Sequence, residues 1–183
     1  MRLFIALELP EQIRECIALT NNAFSSMDIE AKWVPTGNMH ITLKFLGEVA
    51  ENALAKVKQC ITDAVANVES FDVTIEGTGS FGRPPRVVWA GVGEGREEIA
   101  AVMRSLENAL SFIMKESREA TPHMTIARIA SCADVKRFME CIEDMKTRRF
   151  GSFRAESIAL KKSVLKPEGP VYSTIETFKF GAT

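Results

Sequence analysis

Residues 39–46 (MHITLKFL) and 123–130 (HMTIARIA) are two versions of one pattern. Each alternates apolar and polar residues as a strand does, and each carries a His-x-Thr triplet at its start. A shift of 83 residues carries His40 onto His123, Thr42 onto Thr125, Pro84 onto Pro167, Val88 onto Val171 and Trp89 onto Tyr172. The flanking segments repeat in step. Helical spacing is expected over 10–27, 51–68, 95–116 and 133–145, and strands over 2–9, 71–79, 86–93, 152–164 and 170–180. Turns are read at Gly82-Arg83-Pro84-Pro85 and at Lys166-Pro167-Glu168-Gly169. Each half reads helix, strand, helix, strand, turn, strand. The tight turns make the strands antiparallel. The expected fold is therefore α+β, bilobal and internally duplicated, with two antiparallel sheets facing a central cleft and helices outside. The chain reads as a single bilobal domain over 1–183, with pseudo-repeats at about 10–93 and 95–180.

Composition narrows the function class. The 183 residues are 46% hydrophobic and 26% charged, as in an ordinary globular protein. Lysine and arginine number 23 against 24 acids, for a net charge of −1. Such a balance supplies no global basic field to gather nucleic acid, so a nucleic-acid substrate requires a local site. No apolar run approaches the ~20 residues of a membrane span. Glu8 interrupts the opening apolar run too early for a signal peptide, and a cytoplasmic protein is expected. The four cysteines (Cys16, Cys60, Cys132 and Cys141) are scattered and read as free thiols.

Histidine is scarce, with two copies, and both open the repeated triplet. Residues i and i+2 of a strand share a face, so each triplet presents an imidazole and a hydroxyl together. Two such strands around one cleft suit a phosphodiester. One neutral imidazole takes a proton from the attacking oxygen, and the other, protonated, gives one to the leaving oxygen. Thr42 and Thr125 can donate hydrogen bonds to the non-bridging oxygens. No Asp, Glu or Cys stands at ligand spacing beside either histidine, so no metal and no cofactor is expected. The phosphate needs a cation, for which Lys44 and Arg128 rank equally. Strict alternation points Lys44 into the cleft and Arg128 away from it, unless a bulge turns Arg128 inward. Phe4, Phe45, Phe81, Trp33 and Trp89 are aromatics that either stack on bases or fill the core. Phe4 and Arg86 are the candidates to contact RNA.

At these residues the sequence resembles the two-histidine phosphoesterase superfamily, and within it the bacterial and archaeal RNA 2′,3′-cyclic phosphodiesterases, formerly called 2′-5′ RNA ligases. The resemblance spans the whole chain. It includes Arg2-Leu3-Phe4-Ile5-Ala6, Trp33-Val34-Pro35, Asn38 through Gly47, Phe81 through Trp89, Pro122 through Arg128, and Gly169-Pro170-Val171-Tyr172. It implies hydrolysis of an RNA terminal 2′,3′-cyclic phosphate to a 2′-phosphate, and reversible ATP-independent joining to 5′-hydroxyls through a 2′-5′ linkage. It further implies His40 as proton donor, His123 as proton acceptor, and Thr42, Thr125 and Arg128 around the phosphate, with Lys44 secondary. RNA with cyclic phosphate ends, tRNA fragments among them, is the implied partner, and a monomer suffices. Two alternatives remain open at this point. One is a phosphodiesterase for a small cyclic nucleotide or an ADP-ribose cyclic phosphate. The other is a module that binds a nucleotide or an RNA end.

Overall fold

The computed structural model describes residues 1–114, 121–167 and 169–181. Positions 115 and 116 of the expected third helix, and Glu168 of the second turn, lie outside them. Among the described residues there are nine strands and four α-helices. The strands are β1 (Arg2–Glu8), β2 (Ile29–Trp33), β3 (His40–Glu48), β4 (Phe71–Phe81), β5 (Val87–Val92), β6 (His123–Cys132), β7 (Arg149–Ala155), β8 (Ser157–Lys166) and β9 (Gly169–Lys179). The helices are α1 (Glu11–Ala18), α2 (Leu54–Val65), α3 (Arg96–Ala109) and α4 (Val135–Asp144).

The strands run in the order β7-β4-β5-β6-β3-β1-β8-β9, all antiparallel, with β2 also on β6. Two halves are evident because β6 and β3 pair only through Met124 and Ile41. Past that pair, β2 takes the free edge of β6 from Ala127 to Cys132. The strands carrying the two triplets therefore diverge immediately, and the cleft opens between them. The two expected sheets are thus the halves of one curled sheet.

Each half draws strands from both sequence repeats. β5 sits beside β6, but its counterpart by the 83-residue shift, β9, sits at the outer edge. The place beside β3 goes to β1, from the start of the chain. The sequence likeness of Trp89 and Tyr172 thus does not translate into equivalent places in the sheet.

Helices cover the outer faces. α2 and α3 pack on each other and against β9 and β3, while α1 and α4 pack against β7 and β4. The buried stripes follow helical spacing: Val57, Ile61 and Val65 in α2, and Ile99, Val102, Met103 and Leu106 in α3. α1 begins just after Pro10 and buries Ile13 and Ile17. It stops at Ala18 and runs on as a 3-10 turn to Phe24, shorter than the expected helix over 10–27. Asn21, Asn22, Ser25 and Ser26 offer the backbone competing hydrogen bonds there, as Ser25 does to the Asn22 carbonyl. The alternating run expected as one strand over 152–164 is two, β7 and β8, which part at Glu156 and join different halves of the sheet.

Candidate active site

A cavity of about 630 Å³ lies between the two halves, and His40, Thr42, His123, Thr125 and Arg128 all line it. Both imidazoles are anchored in the same way. His40 Nδ1 lies 2.7 Å from the Asn38 carbonyl oxygen, and His123 Nδ1 lies 2.7 Å from that of Thr121. A carbonyl only accepts, so each Nδ1 carries its hydrogen and donates it. The site where each ring gains or loses a proton is thereby Nε2. His40 Nε2 is 3.1 Å from the Thr42 hydroxyl, as a strand's shared face requires.

The surroundings of the rings differ. His40 stacks on Phe4 with centroids 5.0 Å apart, and the edge of Tyr172 meets it at 5.5 Å. Burial among these rings lowers its pKa below the ordinary imidazole value, and the Lys161 ammonium acts in the same direction. The Asn38 carbonyl and the Glu8 carboxylate oppose this. Lys161 and Glu8 are ion-paired to each other beside the ring stack. His123 meets the edge of Phe81 at 5.0 Å, and Phe81 leans on Trp89.

One irregularity decides which cation faces the cavity. Opposite β1, Ala6 pairs with Thr42 and Ile5 with Lys44, so Leu43 is an extra residue in β3. Opposite β5, Trp89 pairs with Thr125 and Val88 with Ala127, so Ile126 is an extra residue in β6. Each bulge reverses the alternation beyond it. Leu43 and Lys44 are both buried, and Phe45 turns to the cavity at 48% exposure. Ile126 and Ala127 are likewise buried, and Arg128 turns inward.

The expectation of a phosphate-binding Lys44 is corrected by this geometry. Lys44 is 1% exposed, its Nζ pairs with Glu107, and it donates to the Met114 carbonyl at 2.8 Å. It does not line the cavity. Arg86 is also elsewhere, its guanidinium donating to the Ala130 carbonyl at 2.7 Å. Phe4 lines the cavity but is 3% exposed beneath His40 and Tyr172, so it supports the imidazole and has no free face for a base.

Sequence reasoning missed three contributors. Asn38 supplies the carbonyl that holds His40, and its amide donates to the Pro170 carbonyl at 2.9 Å, tying β9 to the site. Tyr172 closes the stack over His40. Arg2, two residues before Phe4 on β1, opens into the same cavity. The signal for Arg2 was its i, i+2 spacing from Phe4; none existed for Asn38, because its part is played by main chain.

The family follows from this framework and from sequence together: the model of the 2′-5′ RNA ligase superfamily matches residues 25–164. The chain belongs to that superfamily. An RNA 2′,3′-cyclic phosphodiesterase from Methanothermobacter thermautotrophicus is 33% identical over 184 residues, covering 98% of this chain and 98% of that protein. Another of that name from Methanocaldococcus jannaschii is 35% identical, covering 96% of this chain and 99% of that protein. Among solved structures of similar fold, TT0787 of Thermus thermophilus superposes with a TM-score of 0.82 at 28% identity, covering 99% of this chain and 98% of that one. LigT of Escherichia coli complexed with 3′-AMP also gives 0.82, at 23% identity, again covering 99% and 98%. The superfamily's curled antiparallel sheet is the fold described above. Among the described residues, no helix is long and apolar enough to cross a membrane.

Proposed function

We propose that the protein hydrolyses the 2′,3′-cyclic phosphate at an RNA end to a 2′-phosphate. The observation that carries this reading is the pair of imidazoles on one cavity, each with Nδ1 committed to a main-chain carbonyl and Nε2 left for proton transfer. The curated relatives named above bear the same activity in their names.

In the proposed step, His123 Nε2 takes a proton from water. The water oxygen attacks phosphorus, and the bond from phosphorus to O3′ breaks. O3′ receives a proton from His40 Nε2 and leaves as a hydroxyl. Solvent then returns the proton from one ring to the other. Thr42, Thr125 and Arg128 hold the non-bridging oxygens as charge shifts onto them. Burial makes the His40 imidazolium a readier proton donor, and an anionic phosphate beside it favours its protonated form. With a 5′-hydroxyl in place of water as the attacking group, the same forward step joins RNA ends through a 2′-5′ bond without ATP, and its reverse splits that bond back to a cyclic phosphate and a 5′-hydroxyl.

The test is a short RNA ending in a 2′,3′-cyclic phosphate, incubated with the protein and EDTA. No cluster of three metal-binding side chains exists among the described residues, so the chelator is expected to leave turnover intact. A 2′-phosphate product is expected. Loss of turnover to the chelator would overturn the two-imidazole mechanism. A 3′-phosphate would mean that the leaving oxygen and its acid are misassigned, and no product would point to a small cyclic nucleotide or to simple binding.

A further inference from the structure

Beyond the reacting phosphate, the cavity holds a second cation. Among the described residues, its lining contains two positively charged side chains, Arg128 and Arg2. Arg128 belongs to the bulged strand beside His123, while Arg2 stands at the start of β1 on the His40 side. Arg2 and Phe4 share a face of β1, two residues and roughly 7 Å apart along the strand. Phe4 carries the His40 ring. Arg2 thus stands one same-face position along β1 from the residue that carries the imidazole, in the same cavity.

The charge of Arg2 is available. Arg2 is exposed, and among the described residues its guanidinium takes no hydrogen bond and no ion pair. Its cross-strand partner Glu48 lines the same cavity, but that carboxylate lies 3.1 Å from the Met1 amino group. Tyr172 lines the same cavity as Arg2 and Arg128. Burial raises the phenol's pKa, and the two guanidiniums of Arg128 and Arg2 both act against that rise. Ser163, opposite Tyr172 in the β8–β9 ladder, adds a further donor to the lining. With a net charge of −1, the protein has no general field to hold a polyanion, so the hold must be built locally.

We propose that Arg2 binds the phosphate on the 5′ side of the substrate's terminal nucleotide, adjacent to the cyclic phosphate held at the two histidines. The assignment rests on the phosphodiesterase reading above. It makes Arg2 the residue by which the site distinguishes the end of an RNA chain from a free cyclic nucleoside phosphate.

The experiment is a two-by-two cycle. Turnover of adenosine 2′,3′-cyclic phosphate is compared with that of its 5′-phosphorylated form, in the wild type and in Arg2→Ala. The wild type is expected to favour the 5′-phosphorylated substrate by roughly three- to tenfold in kcat/KM, the scale of one exposed charge-assisted contact. The gain is expected in KM, because a phosphate away from the reacting centre is held equally before and during reaction. Arg2→Ala is expected to bring the preference close to one, and Arg2→Lys to keep part of it. For a short RNA, the dependence of log KM on log salt is expected to lose about 0.7 in slope in Arg2→Ala, as for one lost single-strand phosphate contact. An equal loss on both substrates would place Arg2 on the reacting phosphate and overturn the proposal. So would a preference that survives Arg2→Ala. Absence of wild-type turnover on the short RNA as well as on both mononucleotides would instead bring down the phosphodiesterase reading beneath it.

Discussion

The two halves of the cavity start from the same triplet and end in different chemistry. Each strand anchors its imidazole on a carbonyl two residues upstream, and each then gains an extra residue, Leu43 or Ile126, that reverses its alternation. Five residues past the histidine, one half presents Arg128 and the other presents Phe45. The His40 side is walled by Phe4 and Tyr172 and backed by the Glu8–Lys161 pair. The His123 side has the edge of Phe81, which is 40% exposed. Duplication supplies two equal proton-transfer groups, and the neighbours then make them unequal. One imidazole has a dry, aromatic-lined seat and the other a more open one beside Arg128.

The largest effects should come from removing either imidazole. His40→Ala and His123→Ala are each expected to lower turnover of the cyclic phosphate by about 10²–10⁴-fold, the worth of one positioned acid or base. A substrate with sulfur in place of O3′ sharpens the comparison, because a thiolate leaves without a proton. It should restore His40→Ala and leave His123→Ala impaired. Restoration of the opposite variant would exchange the two roles.

Next comes the contrast between the two cations. Arg128→Ala is expected to cost about 10–10²-fold in kcat/KM, from loss of a charge-assisted hold on the phosphate, with an unchanged melting temperature. Lys44→Met should do the reverse. Removing a buried ammonium leaves Glu107 without that partner, at a cost of roughly 1–3 kcal/mol in stability. Activity of the folded fraction should stay near the wild-type level. A large catalytic loss in folded Lys44→Met would return Lys44 to the phosphate.

A smaller effect tests the dry seat itself. Burial holds His40 neutral to a lower pH than an exposed imidazole. As general acid it must be protonated, so activity is expected to fall as pH rises through that lowered pKa. Phe4→Leu admits water beside the ring, which should move His40 back toward its ordinary value and shift this limb to higher pH. Titration of the His40 ring by NMR in the two proteins reads the shift directly. Stability follows the same sign. Below the ordinary value the unfolded chain takes up a proton that folded His40 resists, so stability should decline on the acid side of neutrality. Least affected should be Arg86→Ala, within about twofold in activity, since that side chain serves the Ala130 carbonyl outside the cavity.

Much of this was legible in the residues. The histidine–threonine pairs, the alternating strands and the apolar stripes of α2 and α3 are local patterns, and local patterns can be read off a chain. What failed depended on distant partners. Which strand lies beside β3 is a matter of long-range pairing, and Arg2–Glu8 took the place that repeat logic reserved for 170–180. The run expected as one strand over 152–164 contains no glycine or proline, so nothing local announced that Glu156 divides it between two halves. β2, with five residues, was too short to register as a strand. Lys44 was misplaced for a comparable reason. Period-2 counting holds only while the ladder is regular, and the extra residue at Leu43 is set by the packing of β1 against β3. The requirement that Arg128 needs a bulge was, by contrast, readable in advance, and β6 carries that bulge at Ile126.

The anchoring of both imidazoles on main-chain carbonyls has a genetic consequence. In a catalytic arrangement where a carboxylate side chain orients the histidine, a single codon change abolishes the orienting group. Here the acceptors are the peptide oxygens of Asn38 and Thr121, which every residue possesses. A saturation scan of this chain should therefore find the two histidines intolerant and no third position of matching severity devoted to aligning them. Substitutions at 121 should act only as far as they bend the backbone, and those at 38 also through the lost amide bond to the Pro170 carbonyl, with proline harsher than alanine at both.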